Sequence, residues 1–278
     1  MGAALDGAVT ELTSLLAPLL ANPVWVLLLP TVGLGLAGML LSLIRDGGRH
    51  GTEEVIKTYH EPEGRLNIWS AVVKAFASIL TIGFGGSAGL EGPSIHIGAT
   101  VGDFAHSITR KFNLDSTDVK SMMIAGGSAG IAAIFKAPLT GVVFGLEVPY
   151  KDDMAKESLV PSLVASVTSY LVFVSIMGIR PLFKTESVFT ISGRDLIYAT
   201  ALGLLIGLAA RLFVRAFRWS EAFFERLKLR RPVKTAIGGG IVGLVGLTSI
   251  YWLGSPMPLG VGYSVVGRVI TETFSLKV

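Results

Sequence analysis

The chain alternates long apolar stretches with short polar ones, and the apolar stretches have the length of helices rather than strands. Residues 12–44 contain no charged side chain, and three prolines divide them into the end of one helix and a further helix over 24–44. A polar stretch follows at 45–65. Beyond it, the same pattern predicts helices over 69–83, 93–107, 116–134, 138–147, 158–177, 193–227, 232–253 and from about 263 onward.

Several of these segments are shorter than the roughly 20 residues that a full crossing of a bilayer needs. Short apolar segments interrupted by glycine and proline are typical of discontinuous helices that line a site near the middle of a membrane. Hydrophobic residues make up 51% of the chain, charged residues 16%, and there are 34 glycines, whereas soluble domains carry about 25% charged residues. We therefore predict an all-α, multi-pass membrane protein with tilted and broken helices, in a single domain over 1–278.

The charged residues indicate how the chain is oriented in the membrane. The net charge is +4, and eight lysines and arginines lie within 211–234. A basic cluster can also bind nucleic acid, but apolar helices flank this one on both sides, and the positive-inside rule places it in the cytoplasm. Counting the membrane crossings in both directions from this cluster then places residues 179–194 and 254–262 on the outer side of the membrane. The chain has no cysteine, which excludes disulfides and thiolate metal sites.

One carboxylate interrupts an otherwise apolar part of the sequence, in GSAGLEGPSIHIGA at 86–99. Glu91 and Lys74 are the only ionised side chains between residues 66 and 99. An ionised group in hydrocarbon is costly, and it normally faces a cavity on an ion or proton pathway. Pro93 suits the first turn of a helix, and the free N–H groups of such a turn form an anion site. The sequence thus predicts a gate, in which the Glu91 carboxylate occupies the anion site or moves aside for a mobile anion.

A second glycine-rich segment follows about thirty residues later. The pentapeptide GGSAG occurs at 85–89 and again at 126–130, where it opens GGSAGIAAIFKAPLTGVVFGLE. Gly126 and Gly130 share one helix face, which predicts close packing against another helix. Together, in this order and spacing, the two segments resemble the motifs of the CLC family of chloride channels and proton-coupled chloride exchangers.

The resemblance implies a fold, an activity and partners. The fold is an inverted repeat of helices that forms a homodimer in the lipid bilayer, with one pore in each subunit. The activity is voltage- or pH-gated transport of chloride or another small anion across the cell membrane, as a passive channel or in exchange for protons. No cofactor, metal, nucleic acid or enzymatic reaction is expected.

The resemblance also assigns roles at the outer gate and on the inner side. Glu91 matches the glutamate that gates the pore and transfers protons, and Gly92 and Pro93 match the helix start that binds anion. Glu147 matches the first of two acidic residues and is a candidate for an inner proton path. The second of these positions, the internal proton-transfer glutamate of many exchangers, is Val148 here, which favours passive conduction.

An upstream segment, HGTEEVIKTYH at 50–60, is similar to a diverged form of the family motif that carries a selectivity serine. The alignment places His50 at that serine and Gly51 at the following glycine, where a short helix is expected to start, so both are expected to bind anion. A histidine N–H can replace a hydroxyl as an anion donor. A solvated loop histidine is the alternative interpretation of His50.

The family's third motif, Gly-x-Phe-x-Pro, and its later anion-coordinating tyrosine do not occur in these 278 residues. We therefore expect a chain that is truncated before the third motif, or one that completes its pore with another chain. On either view, the 278 residues reconstituted alone are expected to give no halide flux.

Other function classes fit the sequence less well. GFGGSA at 83–88 mimics a dinucleotide-binding pattern but lacks a preceding strand, and no phosphate-binding loop motif is present. The four histidines show no tight metal-binding spacing; they are His50, His60, His96 and His106. Two alternatives stay open, namely an unrelated secondary transporter with discontinuous helices and a non-conducting truncated membrane subunit.

Overall fold

The computed structural model describes residues 2–44, 51–109, 112, 116–179, 181–183 and 192–271, and this part of the chain is helical without any β-strand. Eleven α-helices follow one another in it: α1 (Gly2–Leu16), α2 (Pro23–Leu41), α3 (Gly51–His60), α4 (Ile68–Gly83), α5 (Glu91–Thr109), α6 (Ser116–Phe135), α7 (Pro138–Glu147), α8 (Leu159–Met177), α9 (Gly193–Arg226), α10 (Arg231–Leu253) and α11 (Tyr263–Thr271). The all-α prediction is confirmed.

Membrane-length helices alternate with shorter ones. Among the described residues, five helical segments are long and apolar enough to cross a membrane: Gly2–Ala21, Pro23–Leu41, Lys156–Met177, Gly193–Arg226 and Arg231–Leu253. The helices between them, α4 and α7, are apolar but have only 16 and 10 residues. This is the predicted mixture of complete and partial crossings.

The short helix expected to start at Gly51 is present as the ten-residue helix α3, within the polar stretch 45–65. The structure differs from the sequence prediction at one helix start. Helix α5 begins at Glu91 rather than at Pro93, because the Ser94 N–H donates to the Leu90 carbonyl at 3.0 Å and thereby closes the first turn. Pro93 still fits this turn, since the N–H that it lacks would have no partner inside the helix.

Glycines bring the central helices into backbone contact. A Cβ atom added at Gly98 of α5 would overlap the Gly126 carbonyl of α6, and one added at Gly126 would overlap the Gly98 carbonyl. In the same way, Gly239 of α10 lies against the Pro30 carbonyl of α2. The predicted close packing at Gly126 is confirmed, and it fixes α5, which carries Glu91, firmly against α6.

The outer helices expose their apolar side chains. Helix α9 has 34 residues, none of them buried, and α8 buries only three of its residues. An exposed apolar surface of this extent would aggregate in water. It is suited to contact with lipid or with other membrane helices.

Candidate functional site

A cavity of about 430 Å³ lies where the starts of α3 and α5 meet the side of α4. Most of its wall is made of glycine, alanine and small hydroxyl side chains. Among the described residues, the ionisable side chains on the wall are Lys74, Glu91 and His96. Three further residues predicted for the site or its helix start, Gly51, Gly92 and Pro93, also line it. The structure therefore brings together the residues that two separate sequence motifs predicted.

The Glu91 side chain folds back toward the residues that precede its helix. Its carboxylate lies so close to Gly89 that a Cβ atom added there would overlap Oε2. Glu91 is half-buried and is the first residue of α5, so its negative charge sits at the positive end of the helix dipole. The carboxylate is thus held at the helix start by electrostatics and by the space that a glycine leaves.

Two helix starts meet at the cavity. A Cβ atom added at Gly51, the first described residue of α3, would lie 2.8 Å from the Gly92 carbonyl in the first turn of α5. The first-turn N–H groups of each helix have no acceptor within their own helix. Because Pro93 has no N–H, the free donors of α5 are the amides that precede it, those of Glu91 and Gly92. This arrangement favours an anion over a cation in the cavity.

Two residues of the cavity wall, Lys74 and His96, belong to a cluster of buried ionisable groups. Glu54 of α3 forms an ion pair with Lys74 of α4, and the same carboxylate oxygen lies 3.2 Å from Nε2 of His96 on α5. All three residues are buried. Sequence reasoning missed this cluster, although the isolated charge of Lys74 in an apolar helix was a signal that it needed a partner.

The roles predicted for two further site residues are not tested by the structure. His50 is outside the described residues, so its role in anion binding stays a prediction. Glu147 is exposed at the end of α7 and does not line the cavity; its role on an inner proton path also stays a prediction. The loop after α7 contacts the far end of α3, where Pro149 O lies 2.6 Å from the His60 ring and the hydroxyls of Tyr59 and Tyr150 are 3.1 Å apart.

Tyr263, at the start of α11, is a neighbour of the gate that the sequence motifs did not identify. Its hydroxyl is buried and has no hydrogen-bond partner among the described residues. The carboxylates of Glu91 and Asp6 act on it electrostatically. The segment before it is held by a hydrogen bond from the Gly260 N–H to the Gly85 carbonyl, at 3.3 Å. The loop before α11 therefore lies beside the break that contains Glu91.

Comparisons with known proteins identify the family of this chain. The family model described as "Voltage gated chloride channel" matches residues 32–278. A putative chloride channel protein, ClcB-like, of Ralstonia nicotianae is 29% identical over 255 residues, which are 91% of this chain and 58% of that protein. The voltage-gated ClC-type chloride channel ClcB of Salmonella typhimurium is 30% identical over 244 residues, which are 86% and 56% of the two chains.

A solved structure has the same fold. The crystal structure of a slow cyanobacterial Cl-/H+ antiporter superposes with a TM-score of 0.79 over 99% of this chain and 65% of that chain, at 22% identity. The tilted and broken arrangement of helices that the sequence predicted is therefore confirmed. The matched residues span a little over half the length of the two relatives.

Proposed function

Because this chain belongs to the voltage-gated chloride channel family, we propose that the complete protein carries chloride or a similar small anion across a membrane, along a path gated by Glu91. The family consists of channels and transporters, and its members are integral, multi-pass membrane proteins, as this chain is. The observation that carries the proposal is the Glu91 carboxylate, folded over Gly89 at the start of α5 and on the wall of the cavity.

The gate works by competition for one site. The ionised carboxylate and a mobile anion are both attracted to the start of α5, and two negative charges do not share it. Protonation removes the charge of Glu91 and with it the attraction to the helix start. The side chain is then free to leave, and the anion takes its place near Gly92. Anion flux should therefore increase as the pH falls.

The geometry is compatible with two modes of transport. The Salmonella relative is described as a voltage-gated channel and the cyanobacterial protein as an antiporter, and either can use a carboxylate gate of this kind. We place this chain in a homodimer in which each subunit has its own pathway, as the family resemblance implies. A non-conducting membrane subunit is the competing proposal, and measuring flux separates the two.

The gate is tested with Glu91→Gln in the complete protein, reconstituted into liposomes. Glutamine resembles the protonated carboxylate, so the variant should conduct chloride at a rate that no longer depends on pH between about 5 and 8. The wild-type rate should instead rise as the pH falls, because protonation releases the gate. Chloride efflux, measured with a chloride electrode, gives both rates.

Glu63→Gln is the matched control, because Glu63 is an exposed carboxylate in the turn between α3 and α4, away from the cavity. It should retain the wild-type pH response. If Glu91→Gln also retains that response, Glu91 is not the gate. These measurements use the complete protein, since the 278 residues alone are expected to give no flux. If the complete wild-type protein gives no chloride efflux above empty liposomes, the transport proposal itself fails.

A further inference from the structure

The 260–263 segment, which leads from the end of α10 into α11, lies along the helix break that carries the gate. The Gly260 N–H donates to the Gly85 carbonyl at 3.3 Å. One residue further on, Val261 packs on the apolar cluster that contains Leu90. The segment therefore follows the break toward its charged end, and the first turn of α11 is placed beside the gate.

Tyr263 ends this segment with a hydroxyl group that lacks a partner. The hydroxyl is buried, and no described residue forms a hydrogen bond with it. The tyrosine ring meets the Phe183 ring edge-on, with the ring centroids 6.1 Å apart. An unpaired polar atom away from water is costly, so packing alone would be served better by a phenylalanine. The hydroxyl of Tyr263 is explained if it gains a partner in another state of the protein.

The Glu91 side chain is the group that can become this partner. Two carboxylates act electrostatically on the Tyr263 hydroxyl, and Glu91 acts more strongly than Asp6. The side chain of Glu91 is half-buried, and the proposed gate requires it to leave the start of α5. It reaches a new position by rotation about its own bonds, so no solvent has to enter the space around the hydroxyl.

The surroundings of this new position favour a protonated carboxyl group over an ionised one. Beside the tyrosine, the 260–263 segment packs on a cluster of buried apolar side chains, which are Leu5, Val9, Ile82, Leu90 and Ile134. Desolvation among such side chains disfavours the charged form of a carboxyl group. The phenol of Tyr263 can donate a hydrogen bond to the neutral form. The same proton that releases Glu91 from the helix start therefore suits it to this position.

The neighbouring charges separate the two positions of the carboxyl group. Asp6 of α1 disfavours a second negative charge beside the tyrosine, and Lys136, at the end of α6, acts on Asp6 and offsets part of this effect. Lys74 of α4 and His96 of α5 lie on the cavity wall, on the side that the carboxylate leaves. The helix start thus favours ionised Glu91, because of the helix dipole, and the position beside the tyrosine favours the neutral form.

We propose that Tyr263 is a positioning residue that holds the protonated Glu91 side chain after it has left the anion site. This inference rests on the proposed function. The phenol O–H donates to the carbonyl oxygen of the carboxyl group, and no covalent bond is made or broken. Because this hydrogen bond stabilises the protonated, open state, it raises the pH at which half of the gates are open.

The test measures chloride efflux as a function of pH, with the complete protein in liposomes. Tyr263→Phe retains the aromatic ring and its contact with Phe183 but removes the hydroxyl. The pH of half-maximal efflux should fall by about half to one unit, the scale of one net hydrogen bond. Tyr251→Phe is the matched control, because Tyr251 on α10 is 85% exposed, and its pH of half-maximal efflux should equal that of the wild type.

A second comparison separates the hydrogen bond from packing of the 260–263 segment. Glu91→Ala has no carboxyl group for the tyrosine to hold. Adding Tyr263→Phe to Glu91→Ala should therefore leave the efflux rate unchanged at every pH. A hydroxyl that acted only through packing would change the rate in both backgrounds.

Each outcome supports or overturns the proposal. An unchanged midpoint in Tyr263→Phe overturns it, and so does an equal change of rate with and without Glu91→Ala; the gate itself survives both results. Absence of efflux from the complete wild-type protein overturns the gate and this proposal together. If Tyr263→Phe does not fold, as judged by gel filtration, Asp6→Asn is the second variant. Loss of the negative charge beside the carboxyl group should also lower the midpoint, and an unchanged midpoint would overturn the proposal.

Discussion

At the residue scale, the position of the Glu91 carboxylate depends on the absence of a side chain at Gly89. A Cβ atom there would overlap Oε2 of Glu91. The atom in conflict is the end of a flexible side chain, so it can rotate away at little cost to the rest of the fold. Gly89 thus determines where the gate rests without touching the anion itself.

We predict that Gly89→Ala displaces the carboxylate and leaves the gate partly open. Chloride efflux at pH 7.5 should rise toward that of Glu91→Gln, while the thermal unfolding midpoint in detergent stays close to that of the wild type. Gly7→Ala is the control, because a Cβ atom at Gly7 meets nothing within 4 Å. A wild-type efflux rate in Gly89→Ala would mean that the carboxylate does not rest against Gly89 during transport.

The sequence was informative about Glu91 but not about its surroundings. Glu91, Gly92 and Pro93 are adjacent in the chain, so one glycine–proline break was enough to predict a carboxylate at a helix start. Glu54 and His96 are 42 residues apart, and they meet only because α3 packs on α5. No local pattern encodes that contact, and the buried cluster could be found only from the fold.

At the element scale, helix α5 is positioned by glycines rather than by large side chains. Gly98, Gly102 and Gly130 all lie at points where a Cβ atom would overlap a backbone carbonyl of the facing helix. Glycines four residues apart, such as Gly126 and Gly130, were visible in the sequence, and so was the close helix packing that this spacing implies. The identity of the partner helix could not be predicted, because small residues on one helix do not specify which other helix they face.

We predict that Gly98→Ala is destabilising although alanine favours helices. The added methyl group overlaps the Gly126 carbonyl of α6, and overpacking of this kind costs about 1–3 kcal/mol. Gly203→Ala in α9 is the matched control, since a Cβ atom there meets nothing within 4 Å; it should be neutral or stabilise by up to about 1 kcal/mol. The thermal unfolding midpoints of the two variants are compared in detergent. Equal midpoints would contradict the α5–α6 contact.

Helix α3 was predicted from the alignment with a family motif and not from the apolar pattern. Glu53, Glu54 and Lys57 give its sequence the character of a loop. Its buried face consists of Glu54, Val55, Thr58 and Tyr59, and burial of a charged residue on that face requires the ion pair with Lys74. A short helix stabilised by a distant lysine has no strong signal of its own.

At the scale of the whole molecule, the basic cluster at 211–234 spans the second half of α9 and the start of α10, and it predicts the orientation in the membrane. We predict that Lys228→Cys is labelled by a membrane-impermeant thiol reagent only from the cytoplasm, and Ile179→Cys only from outside. Both side chains are exposed. The chain has no natural cysteine, so each single-cysteine variant reports one position and the unsubstituted protein is the blank. Labelling of both positions from the same side would refute the assigned topology.

The short uncharged run within α9 has a consequence for the membrane around the protein. The uncharged run 196–210 within this helix is 15 residues long, about 22 Å, whereas the hydrocarbon layer is about 30 Å thick. Tilting would only shorten its reach. The bilayer must therefore become thinner beside α9, or Arg194 and Arg211 must extend their side chains toward the headgroups. The free-energy cost of either adjustment grows with the length of the lipid acyl chains. Bilayer thickness should therefore influence how stably this protein is inserted in a given membrane.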